Sequence, residues 1–411
     1  MAHAIFCILA QICFMECIST PNINHCTNHS VVIADLLIGI DNESTILNLT
    51  DNAIWSIEPQ TFAHFEELTT LELSDNCILS LPNDTFSGLD SLKVLDMSGN
   101  QINILPNHAF ESLSSLKELN LSSNNIQKIT AGTFLDLSNL QQLHLDGNNI
   151  DEISNHTFEN LNSLKNLDIS DNKLNVIPSK IFWDLPKMWI LNANHNQITT
   201  ISVESFKNLP QLRMLLLQQN AIQTIAYKAF VNVSPLLKLY LGANKMITLS
   251  TKMFTGDKSF YYLGLGSNEL NDIPTEFFGD SVKPKSLYLG GNKITSMKAN
   301  SLSLLDSLEK LFIQNNKLTD ICPGAFNGLN SLMYLELQGN PITNIQGIYE
   351  YVNRMRQSNQ AQNWRLELNL DMTKLNECGK LWIWEMTTQG MIVMTGDVIK
   401  ERPDVGGNCT M

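Results

Sequence analysis

Charge is scarce in this 411-residue chain, where Asp, Glu, Lys and Arg make up only 17%. That is too little to keep a polymer solvated and disordered. The basic sign is the scarcer one, with 27 Lys and Arg against 41 Asp and Glu and a formal net charge of −14. Recognition of a phosphate backbone needs clustered Lys and Arg, so a nucleic-acid partner is not expected. Long apolar runs are also missing. Ala4 to Phe14 is uncharged but short for a membrane span. Leu381 to Met394 is broken by Glu385, Thr387, Thr388 and Gln389, and the tail from Gly406 to Met411 is polar. No membrane span and no lipid anchor is expected. Catalytic signatures are absent: there is no Gly-x-Ser-x-Gly, no His-Glu-x-x-His and no phosphate loop. Gly264-Leu-Gly266 is a weak dinucleotide echo with no helix expected after it. The expectation is a non-enzyme without a cofactor.

What is present begins with an export signal. Residues 1–19 read as a signal peptide: an apolar core from Ala4 to Phe14, then small residues around Cys17-Ile-Ser19, with cleavage after Ser19 or Thr20. Eight Asn-x-Ser/Thr acceptor sequences agree with a secreted, extracellular chain: Asn28, Asn42, Asn48, Asn83, Asn120, Asn155, Asn232 and Asn408. Pro235, just after Ser234, weakens Asn232 as an acceptor.

An internal repeat decides the fold. At a period of 24 one column is always asparagine: Asn52, Asn76, Asn100, Asn124, Asn148, Asn172, Asn196, Asn220, Asn244, Asn268, Asn292, Asn316 and Asn340. Each closes a phrase such as Leu92-Lys-Val-Leu95-Asp-Met97-Ser-Gly-Asn100. Ten residues later comes phenylalanine, from Phe62 through Phe278 to Phe326, with Leu302 the single substitution. The Leu-x-Leu alternation has the period of a strand with one buried face. The asparagine amide, with donors and acceptors, is placed to bridge backbone groups in its own coil and the next. Pro82, Pro106, Pro178 and Pro274 share one position on the return side, favouring extended or short 3₁₀ structure over long helices.

These columns resemble the 24-residue, extracellular class of leucine-rich repeat, including Toll-like receptor ectodomains, Slit-type guidance proteins, small leucine-rich matrix proteins and insect leucine-rich immune proteins. The resemblance implies an α/β repeat solenoid: a right-handed superhelix with a curved parallel β-sheet on the concave face and an irregular or 3₁₀ convex side. The insect proteins often end in a coiled coil, and no sustained heptads follow Ile345 here. One rung cannot hold itself folded, because its seven or so core side chains contribute roughly 1.5–3 kcal/mol each. Ordering its backbone costs about 1–2 kcal/mol per residue. Both ends therefore need covers. Residues 20–44 are the expected N-terminal cap, with short strands at Val31-Val-Ile and Leu37-Ile-Gly-Ile. Residues 45–344 are the repeats, about thirteen of them. Residues 345–411 are the C-terminal cap, opening with a helix from Ile345 to Gln362; Glu350 stands where the phenylalanine column would continue.

The resemblance also implies cysteine-rich flanks. Of eight cysteines, Cys7, Cys13 and Cys17 leave with the signal peptide. Cys378 and Cys409 fit a reduced C-terminal flank and are expected to be bridged. The N-terminal cap offers only Cys26, and a Cys26–Cys77 bridge is the less favoured option. The odd count leaves a thiol, with Cys322 the first candidate, either half-buried and free or bridged to a partner chain.

In such a sheet the outward positions lie six, four, two and one residues before each asparagine. Up to Asn172 they are polar and acidic, including Asp51, Glu72, Asp75, Asp96, Glu118, Asp146, Asp168 and Asp171. From Asn196 onward they become Ile190, Met214, Leu216, Tyr240, Tyr262, Tyr288, Phe312 and Tyr334, with Trp189 at the rim. Gly242, Gly264, Gly266, Gly290 and Gly291 lie between them and predict a shallow floor. Aromatic side chains bury much area at low entropic cost, so this half is the expected binding surface; plain repeat filler is the alternative. Asn48 and Asn120 place acceptor sites on the acidic half, where glycans would shield it and leave the aromatic half open. Asp96, Asp146, Asp168 and Asp171 carry the oxygen ligands Ca²⁺ takes, although a solvated face fits them better. His144 and His195, two repeats apart, do not make a zinc site. The function expected is recognition of an extracellular protein or glycoconjugate, with innate immunity favoured; a matrix, adhesion or guidance protein with a structural role is the competing class.

Overall fold

The computed structural model describes residues 31, 33–183, 185–226, 229–230, 233, 236–249, 261–274, 278, 282–358, 364–396, 398–403 and 409. The signal peptide, Asn28, Asn232, Asn408 and Phe254 lie outside the described residues. Two compact units divide the chain, one of Met1–Ile198, Ser202–Leu212 and Ala229–Ser234, the other of Thr199–Ile201, Arg213–Lys228 and Pro235–Met411.

In the first unit seven three-residue strands pair in parallel and in sequence order: Ile46–Asn48, Thr70–Glu72, Val94–Asp96, Glu118–Asn120, Gln142–His144, Asn166–Asp168 and Ile190–Asn192. Every pairing is offset by 24 residues, so Leu47, Leu71, Leu95, Leu119, Leu143, Leu167 and Leu191 meet in one buried row. The two residues flanking each leucine face the other way and keep partial exposure, as the pleat dictates. On the return side Phe62, Phe86, Phe110, Phe134, Phe158, Phe182, Phe206 and Phe230 form a buried stack, with ring centroids 5.4–6.5 Å apart and planes within 14°. The chain around them runs through successive i→i+3 turns, such as Leu89 N–H to Phe86 O and Leu92 N–H to Leu89 O. Long helices are excluded there because each rung has too few residues to close one and still reach the next strand.

The asparagine column works across coils, toward the preceding one and not the next. Asn148 Nδ2 donates to Leu121 O (2.9 Å) in the coil before and to Leu145 O (3.0 Å) in its own, while its Oδ1 accepts Ile126 N–H (3.0 Å). Asn100, Asn124 and Asn172 repeat the pattern. The bend that brings the amide inward has a conformational cost. The residue before the asparagine is left-handed in all thirteen rungs, at φ 52–72°, and in nine it is not glycine, as with Asp51, Ser123 and His195. Each such residue forfeits roughly 1–2 kcal/mol, which the buried amide bonds offset.

The N-terminal cap differs from expectation. Val31 makes only an isolated bridge to Ile54, Ile33–Leu36 is a one-turn helix, and residues 37–39 turn. Ile33, Leu36 and Leu37 have helical spacing, which overrides the local β preference of the Val-Val-Ile run. Cys77 is disulfide-bonded, its partner lying outside the described residues, so it is not the unpaired thiol.

In the second unit, Met214–Leu216, Lys238–Tyr240, Tyr262–Gly264, Ser286–Tyr288, Lys310–Phe312 and Tyr334–Glu336 continue the same parallel, 24-residue register. The helix after Asn340 is shorter than expected, Gln346–Gln357, and its Tyr351 packs on Phe326 at a 43° tilt (5.5 Å), taking over the ring column that Glu350 interrupts. Arg354 fixes this helix by donating to Phe326 O (2.7 Å) and Asn327 Oδ1 (2.9 Å). The sheet then gains two strands not anticipated from the sequence. Leu366–Asn369 pairs with Tyr334–Glu336 at an offset of 33, and Ile392–Met394 pairs with it in turn. Between them Asn376 caps the helix Glu377–Thr388 through Gly379 N–H (2.7 Å). Cys378, in the first turn, is bridged to Cys409 as expected.

Candidate binding surface

In the first unit the outward positions form a paired polar ladder. Asn48 Nδ2 donates to Glu72 (2.6 Å), Asn120 Nδ2 to Asp96 (3.2 Å) and Asn192 Nδ2 to Asp168 (2.9 Å), each one rung away. Ser98 and Ser170 hydroxyls donate to the other oxygen of Asp96 and Asp168, both at 2.6 Å. These carboxylates are therefore satisfied by amides and hydroxyls. Asp146 stands out: burial, reinforced by the charge of Asp168, pushes its carboxyl above the ordinary range. Among the described residues no cluster of three His, Cys, Asp or Glu side chains is placed to hold a metal ion. His195 reaches only Asp171, with Nδ1 3.6 Å from Oδ1. Half-buried Ile190 opens the strand Ile190–Asn192, and Trp189, 52% exposed, stands just before it.

The second unit brings five of the expected residues into one continuous row. Ring centroids are 4.4 Å apart from Tyr240 to Tyr262, 4.7 Å from Tyr262 to Tyr288, 3.9 Å from Tyr288 to Phe312 and 5.0 Å from Phe312 to Tyr334. All five are half-buried. The row is unexpected in register, because Tyr240 pairs across the sheet with Gly264, not with Tyr262. Tyr262 stands two residues earlier and leans over Gly264, where a Cβ would lie 2.9 Å from its Cε1. Leu216 pairs with Tyr240 and Met214 with Lys238, extending the face by one rung.

The predicted glycine floor is consequently only partly open. Gly264 is covered by Tyr262, and the space above Gly290 holds the Gln314 carboxamide, 2.6 Å from where a Cβ would be. Gly266 and Gly291 keep solvent exposure. Crowding and neighbouring phenols raise the Tyr262 hydroxyl to about 12, and burial also raises Tyr288. Tyr334 is pushed up to about 12 by burial and by its hydrogen bond to Glu336 (3.0 Å). Glu336, buried, also accepts from Asn369 Nδ2 (2.9 Å), so it ends the aromatic row with a polar clamp. Sequence reading missed Glu336 and Asn369, since the rung that supplies Asn369 falls outside the 24-residue frame.

Two cations lie beside the rings. Lys238 and Lys310 occupy the same outward column as Tyr262 and Tyr334, and among the described residues neither has a carboxylate ion-pair partner. Residues 45–212 carry 8 Lys and Arg against 20 Asp and Glu, whereas residues 213–344 carry 12 against 9. Cys322, on the return side, is free and partly exposed. Of the acceptor asparagines, Asn42, Asn83 and Asn155 are exposed, and Asn48 and Asn120 are half-buried. No helix among the described residues is long and apolar enough to cross a membrane.

Comparison with known proteins agrees with this architecture. No curated protein matches the chain. Among solved structures, Toll in its complex with Spatzle from Drosophila is similar at 21% identity and a TM-score of 0.65, over 75% of this chain; the chain spans 41% of the length of that Toll structure. An internalin from Listeria monocytogenes is similar at 24% identity and 0.57, covering 75% of this chain and 85% of its own. The octameric complex of Latrophilin 3, Unc5D and FLRT2 gives 25% identity and 0.53, over 76% and 83%. The family model described as leucine rich repeat matches in seven overlapping segments that together span residues 45–348. Thirteen asparagine-closed rungs, a parallel sheet in constant register and that match make this chain a member of the leucine-rich repeat family.

Proposed function

We propose that this chain is a secreted, non-enzymatic recognition protein that binds an extracellular protein or glycoconjugate on the strand face of its second unit. The observation that carries the reading is the row from Tyr240 to Tyr334, a run of large half-exposed rings on rigid strands. Such rings lose little entropy on binding and bury large areas, which is how interface hot spots are built. Family neighbours are seen with partners, Toll with Spatzle and FLRT2 with Latrophilin 3 and Unc5D. Export is supported by the apolar leader, the acceptor sequences and the Cys378–Cys409 bridge, since disulfides persist in oxidising compartments. Glycans on Asn48 and Asn120 would cover the polar ladder and leave the aromatic row free; peptide mapping that finds both unmodified removes this element.

Affinity capture from native extracellular fluid tests the reading, using the wild-type chain beside Tyr240→Ala/Tyr288→Ala. A partner retained by the first and lost by the second, with thermal unfolding nearly unchanged, supports it; equal recovery moves the site elsewhere. Accumulation of soluble protein after infection favours an immune role, and retention in insoluble matrix favours adhesion.

A further inference from the structure

The five rings lean on one another, one contact stacked and three tilted, and this decides what they can offer a ligand. Centroids 3.9–5.0 Å apart at interplanar angles of 10–36° leave the electron-rich faces turned toward neighbouring rings. Solvent meets the ring edges, which carry partial positive charge, while the Tyr334 O–H is already donated to Glu336. The rings therefore make a poor platform for stacking bases or sugars and a better one for apolar side chains laid along their edges. Beside them stand Lys238 and Lys310 without carboxylate partners among the described residues. They are three rungs apart, roughly 14 Å at the usual strand spacing, and an extended peptide covers that distance in four or five residues. The chain as a whole is acidic, but at physiological salt charges beyond about 8 Å are screened. A ligand on the row therefore meets Lys238 and Lys310 beside it before the net charge of the chain.

Resting on the reading above, we propose that the strand face of the second unit takes an extended, acidic segment of a protein partner, with carboxylates at Lys238 and Lys310 and apolar side chains along the row from Tyr240 to Tyr334. The polypeptide is preferred to a uniformly charged polymer because aromatic rings stand between the two lysines, and a chain that carries an apolar side chain between two carboxylates on the same face, as Glu-x-Phe-x-Glu does, matches both.

The test uses the full chain and three fluorescent probes: a ten-residue peptide built on Glu-Ser-Phe-Ser-Glu, whose Glu and Phe share one face when extended, its counterpart with Lys in place of Glu, and heparin. The acidic peptide is expected to bind in a salt-dependent way. Lys238→Glu/Lys310→Glu should weaken it roughly tenfold, and Lys238→Gln/Lys310→Gln by less, both with unchanged thermal unfolding. Equal binding of the two peptides, each lost in Tyr240→Ala/Tyr288→Ala, overturns the acidic class while leaving the binding face in place. Heparin bound through the same lysines in preference to the acidic peptide overturns it in favour of a polysaccharide. Peptide binding indifferent to the tyrosines, or no binding by any probe, overturns the reading beneath it.

Discussion

Tyr262 lies across Gly264, filling with its ring the place where the outward side chain between Tyr240 and Tyr288 would stand. A glycine that looks like a gap in the aromatic column is the reason the column is continuous. Gly264 shows no left-handed φ, so alanine suits its backbone, and the effect of Gly264→Ala is steric. A Cβ at 2.9 Å from Cε1 must displace the ring. We expect Gly264→Ala to reduce the near-UV circular dichroism of the stacked tyrosines and to weaken binding at this face. Stability should change by about 1 kcal/mol or less, because the ring is only half-buried. An unchanged tyrosine spectrum would show that Tyr262 has another place to go.

The asparagine column predicts a gradient of cost along the chain. Asn148→Ala leaves Ile126 N–H and the carbonyls of Leu121 and Leu145 without their amide partner in a buried place. That should cost about 1–3 kcal/mol. Asn52, in the first rung, is half-buried, and among the described residues its side-chain amide bonds only Thr50 O, so Asn52→Ala should cost distinctly less. Denaturant midpoints of the two variants check the order; equal losses would mean that the amide acts locally and not between coils.

Most of this fold could be read before any coordinates. The period, the buried leucine row and the phenylalanine stack all follow from column identity, because a repeat imposes the same environment on each copy, whereas the Cys378–Cys409 bridge follows from the family resemblance alone. What escaped depends on a side chain crossing columns or on chain outside the frame. Tyr262 sits in one column and acts in another. The left-handed column is hidden because nine of its thirteen members are not glycine. The rung at Leu366–Asn369 returns after 33 residues, since the helix Gln346–Gln357 replaces a shorter series of turns. Glu336 looks like an ordinary outward acid until Asn369 and Tyr334 are seen to hold it.

Asp146 should be a stability liability that acid relieves. Its folded carboxyl titrates above the ordinary value, through burial and then the nearby charge of Asp168. A raised carboxyl pKa means the folded state holds the proton more tightly than the unfolded one. The penalty is therefore present at neutral pH and disappears as pH falls below the ordinary carboxylate range. The same column carries Ser74, Ser98, Ser122 and Ser170, so Asp146→Ser keeps the local pattern. It should raise the apparent Tm at pH 7 by about 1–2 °C, with no gain at pH 3. A gain that persists at pH 3 would point to packing and not to charge.

The phenols of the aromatic row should resist alkali. Tyr262 and Tyr334 titrate near 12, mainly because burial disfavours the phenolate, with Glu336 adding to the effect at Tyr334. The sign follows from linkage: the neutral phenol is the form the folded state prefers, so its contribution is whole below pH 10. It is lost as pH rises from about 10, where the unfolded group ionises, toward 12. Absorbance at 295 nm during an alkaline titration should show late-ionising tyrosines, and Tyr262→Phe and Tyr334→Phe should each remove one of them. Tyr334→Phe should also free Glu336 from one of its hydrogen-bond donors, leaving Asn369 and the Gln338 N–H to hold it. If all phenols ionise together near 10 while the chain is still folded, the rings are wetter than their packing implies, and the packed row inferred to seat the partner's apolar side chains loses its basis.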